Sequence, residues 1–118
     1  MTVPELKNAL ETTDEIEITV TGRRTGREIS NPVWFVQAGD SLYLLPVRGS
    51  SGDWYRNVVK TPTIRIAADG AESTVKATPI TDAAQVGDVV EKFRAKYGAE
   101  QVKRYYSKLD VAVEVPLA

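Results

Sequence analysis

The chain contains neither cysteine nor histidine among its 118 residues. Without cysteine it can form no disulfide, no thiolate nucleophile and no cysteine-ligated metal site. Without histidine it can form neither a Ser-His-Asp triad nor a histidine general base, and it loses the commonest ligand for zinc and haem. Any catalysis by this chain therefore has to draw its reactive chemistry largely from a bound cofactor, and we expect no metal site.

Excess charge and long apolar runs are also missing. The chain carries 15 basic and 16 acidic residues, and a net charge of −1 disfavours nucleic acid as the main partner. It has no apolar run of the roughly 18 residues that a membrane span needs, and its N-terminus does not read as a secretion signal. We therefore expect one soluble cytoplasmic domain over residues 1–118, with neither a membrane span nor a nucleic-acid partner.

The first acidic residues of the chain belong to a strand pattern. Glu15 and Glu17 alternate with Ile16 and Ile18, which places the carboxylates on the solvent face of a strand and not in a catalytic pair. The same period of two predicts six strands. Their ranges are 15–21, 27–37, 41–47, 63–68, 71–78 and a last strand over 111–115. Pro32 is expected to break the pairing of the second strand, because proline donates no hydrogen bond.

Helical spacing and capping residues predict four helices. The first begins at a Thr2–Glu5 capping box and carries Leu6 and Leu10 on one face. The other three are expected over residues 53–60, 83–97 and 99–109, with Pro62 and Gly98 as stop signals. Short neighbouring strands followed by helices predict an α+β fold. The expected architecture is a small barrel of about six mainly antiparallel strands with flanking C-terminal helices.

Residues 46–57 read PVRGSSGDWYRN and fall where a strand ends and a helix begins. Arg48, Gly49, Ser50 and Ser51 supply a guanidinium, freed backbone amides and hydroxyls, which are the groups that bind a phosphate. The aromatic pair Trp54 and Tyr55 follows directly and could cover a flat ring. The stretch predicts a site for a phosphorylated aromatic cofactor, although an ordinary surface loop has the same composition and that alternative stays open.

Four motifs in this order resemble those of the deazaflavin-dependent nitroreductase family, which belongs to the split β-barrel flavin and deazaflavin oxidoreductases. They are the turn TGRRTG over 21–26, the strand segment NPVWFV over 31–36, the loop RGS over 48–50 and the box WYRN over 54–57. Two departures stand out. Arg48 replaces the more usual lysine, and Gly52-Asp53 stands where the family commonly has His-Pro or Asn-Pro.

The resemblance implies a split β-barrel that binds deazaflavin F-420 or FMN. The strand segment would run beside the ring, the loop would hold the phosphate, the box would border the loop, and Tyr55 would be a candidate proton donor. The implied cofactor-binding residues are Asn31, Pro32, Val33, Trp34, Val47, Arg48, Gly49, Ser50, Ser51, Trp54, Tyr55 and Asn57.

Several of these residues could instead have ordinary structural roles. Trp54 and Tyr55 could instead anchor a short helix in the core, and Asn57 could be a helix cap. Arg23 and Arg24 could bind an anionic tail, or they could be solvated residues of a turn between strands. A pair of tyrosines at 105 and 106 is expected to pack helices together and not to bind a ligand.

The function that the resemblance implies is hydride transfer from a reduced flavin or deazaflavin to a small electron-poor acceptor. Quinones, nitroaromatics and enones are such acceptors. The alternative is a non-enzymatic cofactor carrier or a protein-interaction module on the same barrel. Because split-barrel relatives often pair so that two chains build each site, we expect a homodimer by analogy.

Overall fold

A seven-stranded antiparallel sheet organises the computed structural model, which describes residues 9–11, 13–68 and 70–117. The sheet order is β5-β4-β1-β2-β3-β7-β6. The strands are β1 (Glu15–Thr21), β2 (Glu28–Ala38), β3 (Ser41–Leu44), β4 (Thr63–Ala68), β5 (Ala71–Lys76), β6 (Thr78–Ile80) and β7 (Ala112–Pro116). The sheet curls into a half-barrel, and helices follow it, so the predicted α+β split-barrel class is confirmed.

Three α-helices and one 3-10 turn complete the described part. Their bounds are α1 (Asp53–Lys60), α2 (Ala83–Tyr97), α3 (Ala99–Tyr105) and the 3-10 turn Gly49–Ser51, while residues 9–11 are also helical. The Asp82 carboxylate caps α2 by accepting a hydrogen bond from the amide of Gln85 at 3.0 Å. Gly98 ends α2 with a φ of +94°. The predicted capping box at Thr2 lies outside the described residues.

Strand β2 changes its partner halfway along, and this change splits the barrel. Residues 28–34 pair with β1, whereas residues 35–38 pair with β3. Within the described residues, no strand pairs with the other edge of β2 over 28–34. The backbone of that half is therefore open on one side, and a ligand or another chain can reach it.

The predicted strand over 41–47 ends at Leu44, and the predicted helix over 99–109 ends at Tyr105. Two further predictions about strands are wrong. Pro32 does not break the pairing of β2, because it lies opposite Glu17 inside an unbroken register of seven residue pairs. A proline is tolerated there because β2 has an open edge at this point. The predicted strand over 71–78 ends at Lys76, and a separate strand β6 begins at Thr78 and pairs with β7. Within the described ranges the sheet therefore has seven strands, and β7 lies inside it, between β3 and β6.

The core consists of two clusters on opposite sides of the sheet. The barrel interior holds Ile18, Phe35, Leu44 and Ile66, each at most 1% exposed. The second cluster lies between the sheet and helices α2 and α3, and its members include Val36, Leu45, Val86, Val89, Val90, Phe93, Val102 and Tyr106. The predicted apolar face of α2 is therefore confirmed, and this helix covers β2 next to the split.

Candidate functional site

A pocket of about 560 Å³ opens where the barrel is split. One wall is the open half of β2, and the other is formed by the segment that follows β3 and by the start of α1. Its lining is mainly apolar and aromatic. The lining residues are Glu15, Ile29, Asn31, Pro32, Val33, Trp34, Leu45, Val47, Arg48, Gly52, Asp53, Trp54, Asn57, Tyr105 and Tyr106. This volume and lining are typical of small-molecule and cofactor sites.

Trp34 is the aromatic centre of the β2 wall. Its ring stacks on Tyr97 with 4.3 Å between centroids and 10° between planes, and Tyr105 meets it edge-on at 5.5 Å. The Tyr97 hydroxyl accepts a hydrogen bond from the Phe35 amide at 3.1 Å and lies 2.8 Å from the Phe35 carbonyl oxygen. Burial raises the pKa of Tyr97 to about 12. A neutral, hydrogen-bonded tyrosine thus holds the Trp34 ring in place.

Helix α1 is tied to the turn between β1 and β2 by Arg23. The Asn57 side-chain oxygen accepts hydrogen bonds from the Arg23 amide at 3.0 Å and from Arg23 Nη1 at 2.9 Å. Arg23 Nη2 also lies 3.4 Å from the Asp53 carboxylate, and Lys60 Nζ donates to the Arg23 carbonyl oxygen at 2.6 Å. Arg23 is therefore engaged within the protein, whereas Arg24 is exposed.

The loop after β3 is held by a carboxylate from the far end of the chain. Asp110 Oδ1 accepts a hydrogen bond from the Ser50 amide at 2.9 Å, and Asp110 Oδ2 accepts one from the Ser50 hydroxyl at 2.5 Å. Lys108 Nζ lies 3.6 Å from the same carboxylate. These hydrogen bonds, the Ser50 hydroxyl first, lower the pKa of Asp110. The Ser50 donors expected to meet a phosphate are thus bonded to Asp110.

Most of the predicted site residues lie on this pocket. Eight of the twelve line it, namely Asn31, Pro32, Val33, Trp34, Val47, Arg48, Trp54 and Asn57. Gly49, Ser50, Ser51 and Tyr55 do not belong to its lining. Tyr55 is 6% exposed in the barrel core, and burial raises its pKa, with a smaller effect from the charge of Asp110. The roles of these residues in ligand binding stay predictions.

The sequence did not predict the part of the pocket lining that comes from distant segments of the chain. Tyr106 packs in the core at 7% exposure, as expected, and its neighbour Tyr105 is 50% exposed; both residues line the pocket. The available signal was the pair of consecutive tyrosines where a helix ends. Asp110, 60 residues from Ser50 in the chain, had no sequence signal at all.

The pocket mouth combines exposed apolar side chains with few charges. Ile29, Val47 and Tyr105 are 41%, 48% and 50% exposed. Arg48 is the one cation among the described lining residues, and Glu15 and Asp53 are the lining carboxylates.

Nowhere in residues 9–11, 13–68 and 70–117 do three potential metal ligands come together. No helix in these ranges is long and apolar enough to cross a membrane.

Comparisons with known proteins identify a family and a shared fold. A family model described as "Uncharacterized protein conserved in bacteria (DUF2255)" matches residues 5–113. No curated protein matches the chain. Among solved structures, an F-420-H2-dependent reductase is similar with a TM-score of 0.67 at 15% identity, covering 86% of this chain and 93% of that one.

Two further solved structures show how varied the proteins of this fold are. HutZ, the haem storage protein from Vibrio cholerae, is similar with a TM-score of 0.72 at 14% identity, over 98% of this chain and 90% of its own. A domain-swapped dimer is similar with a TM-score of 0.69 at 15% identity, over 95% and 94%. At these identities the likeness concerns the fold alone.

Proposed function

The chain belongs to the DUF2255 family of bacterial proteins, and from the aromatic pocket at the split of its barrel we propose that it is a flavin- or deazaflavin-dependent oxidoreductase. The observation that carries this proposal is the pocket itself. It sets Trp34, Trp54 and Tyr105 around a space of about 560 Å³ beside the open backbone edge of β2. Aromatic walls suit a flat ring system, and open amides and carbonyls suit its polar edge.

The residues present fit the ring of F-420 or FMN better than its phosphate. Asn31, Val33 and Trp34 would lie beside the ring, and Arg48 would meet the phosphate. When bound, such a cofactor supplies hydride transfer to a small electron-poor acceptor, such as a quinone, a nitroaromatic or an enone. The protein's own contribution is to orient the ring against Trp34, to exclude water with its apolar walls and to compensate the phosphate charge.

The experiment that tests the proposal is a titration followed by a single turnover. Purified protein is titrated with FMN and with F-420 while cofactor fluorescence is recorded, and the bound, pre-reduced cofactor is then mixed with a quinone. Saturable binding with oxidation by the quinone supports the oxidoreductase. Binding without oxidation indicates a cofactor carrier, and the absence of binding to either cofactor favours an interaction module.

Arg48→Ala is expected to weaken the binding of FMN or F-420 about tenfold. A charge-assisted contact to a phosphate contributes roughly 1.5–3 kcal/mol, and we expect the lower end because the Arg48 side chain is exposed. Fluorescence titration measures the change. Riboflavin, which lacks the phosphate, should bind the variant and the parent alike. Arg24→Ala, an exposed arginine outside the pocket lining, is the matched control, and equal losses in both variants would refute the contact.

Tyr105→Phe and Tyr55→Phe separate two candidate proton donors. The Tyr105 side chain lines the pocket, whereas the sequence candidate Tyr55 lies in the barrel core. A proton donor contributes typically 10²–10⁴-fold, so we expect Tyr105→Phe to slow a reduction that requires protonation by about a hundredfold. The rate of the same reaction in Tyr55→Phe should stay within about threefold of the rate in the parent, because this side chain does not line the pocket. Stopped-flow oxidation of the reduced cofactor measures both, and the reverse order of effects would restore Tyr55 as the donor.

We propose that the protein forms a homodimer through the pocket mouth. The exposed side chains of Ile29, Val47 and Tyr105 form an apolar rim there, and such surfaces often mark contacts between chains. Val47→Lys places a charge in that rim and should weaken dimerisation at least about tenfold, as seen by sedimentation velocity. Val59→Lys is the matched control, because Val59 is 54% exposed and lies outside the pocket. A parent protein that stays monomeric at high concentration would rule the dimer out.

A further inference from the structure

The two donors that Ser50 in the loop after β3 would offer a phosphate are used inside the protein. Both the amide and the hydroxyl of Ser50 are bonded to Asp110, at 2.9 Å and 2.5 Å. Gly49 lets the two segments approach so closely that a Cβ at this position would lie 2.1 Å from Asp110 Oδ1. The loop is therefore built around the carboxylate of Asp110, with Ser50 turned toward it.

The charges on the pocket lining also disfavour the binding of a phosphate. Glu15 and Asp53 each contribute a carboxylate, and Arg48 is the one cation in the described lining. Asp53 is paired with Arg23 at 3.4 Å, but Glu15 has no ion-pair partner among the described residues. A phosphate monoester carries a charge of about −1.5 to −2 at pH 7. Arg48, as the one cation of the described lining, would have to compensate both that charge and the carboxylate of Glu15.

We propose that Asp110 is a positioning residue that removes the preference for a phosphate, so that the pocket takes flat-ring ligands without a phosphate at least as well as their phosphorylated forms. It acts through Ser50, whose amide and hydroxyl it keeps away from the ligand. This inference rests on the proposed function, because it concerns which ring ligand the same pocket takes. It predicts that riboflavin-type ligands occupy the site at least as well as FMN.

The test compares two ligands that differ only in the phosphate. Riboflavin and FMN are titrated against the parent, Asp110→Ala, Ser50→Ala and the double variant. The parent should bind both ligands with dissociation constants within about threefold of each other. In Asp110→Ala the freed Ser50 donors should tighten FMN about tenfold and leave riboflavin unchanged, since charge-assisted hydrogen bonds to a phosphate are strong.

Ser50→Ala distinguishes this mechanism from a change in net charge. In the parent background it should not alter FMN binding. In the Asp110→Ala background it removes the freed hydroxyl but leaves the freed backbone amide, so it should reduce the gain without abolishing it. Asp88→Ala removes one exposed carboxylate from α2, outside the pocket, and should leave the FMN-to-riboflavin ratio unchanged. Should Asp110→Ala fail to fold, Asp110→Asn keeps an acceptor for the Ser50 amide, loses the charge and should show a smaller gain.

Two results would overturn the inference while leaving the proposed function intact. One is a parent that binds FMN more than about threefold tighter than riboflavin, and the other is an unchanged ligand ratio in both Asp110 variants. If no protein in the set binds either flavin, the proposed function fails. The inference is then decided with inorganic phosphate, which should raise the Tm of Asp110→Ala more than that of the double variant. The absence of that difference would also overturn it.

Discussion

Gly49→Ala is expected to lower the free energy of unfolding by about 2–4 kcal/mol. Gly49 has a φ of +56°, where a side chain costs roughly 1–2 kcal/mol, and the new Cβ would meet Asp110 Oδ1 at 2.1 Å and the Lys108 carbonyl oxygen at 3.0 Å. Either the loop or the Asp110 segment must move, and both are held by the hydrogen bonds of Ser50. Urea unfolding of parent and variant measures the loss.

Gly39→Ala is the matched control for this prediction. Gly39 has a φ of +60°, but a Cβ there would have no neighbour within 4 Å. It should therefore show the backbone cost alone, about 1–2 kcal/mol. Asp110→Ala in the Gly49→Ala background removes the nearest clashing atom and should recover part of the difference. Equal losses at Gly49 and Gly39 would show that the close approach to Asp110 contributes nothing.

The sequence predicts the elements well where one periodicity continues without interruption. The strand over 15–21 and the helices over 53–60 and 83–97 are found with the predicted bounds, because each has a regular apolar pattern and a clear stop. The interruption at Ala77 had no such signal. This residue is 1% exposed and continues the apolar pattern into Thr78, so one long strand was expected where two short ones pair with different neighbours.

At Pro32 the tertiary structure overrides the local expectation that a proline interrupts a strand. Proline lacks a donor, and the sequence alone indicates a break in the strand. In the described part of the chain, no strand pairs with one edge of β2 at this position, so that the strand continues through the proline. The same open edge forms a wall of the pocket. A residue that is unusual in a strand interior thus lies where the barrel splits.

The sequence predicted only those residues of the candidate site that lie close together along the chain. The segment 31–34 and residues 47, 48, 54 and 57 line the pocket, because they follow one another along two walls. Tyr105 and Glu15 come from other parts of the chain, and only the packed structure brings them there. The Asp110 contact with Ser50 is of the same kind. A carboxylate that meets a loop from 60 residues away leaves no pattern in the sequence.

Phe93 connects the helical layer to the pocket wall. Its side chain is fully buried, and its ring lies 5.8 Å from that of Tyr97 and 6.0 Å from that of Tyr106. Tyr97 in turn stacks on Trp34, which lines the pocket. A cavity at Phe93 would therefore loosen both the packing of α2 on the sheet and the support of the aromatic wall.

Phe93→Ala is expected to cost about 3–5 kcal/mol of stability, a large share of the roughly 5–15 kcal/mol typical of a domain. Phe93→Leu, which keeps most of the volume, should cost less than about 1.5 kcal/mol. Hydrogen exchange should show lost protection in α2 (Ala83–Tyr97), while the barrel strand β1 (Glu15–Thr21), whose core cluster does not contain Phe93, keeps its protection. If α2 and β1 instead lose protection together, the two clusters unfold as one unit, and the helices are not a separate layer over the split.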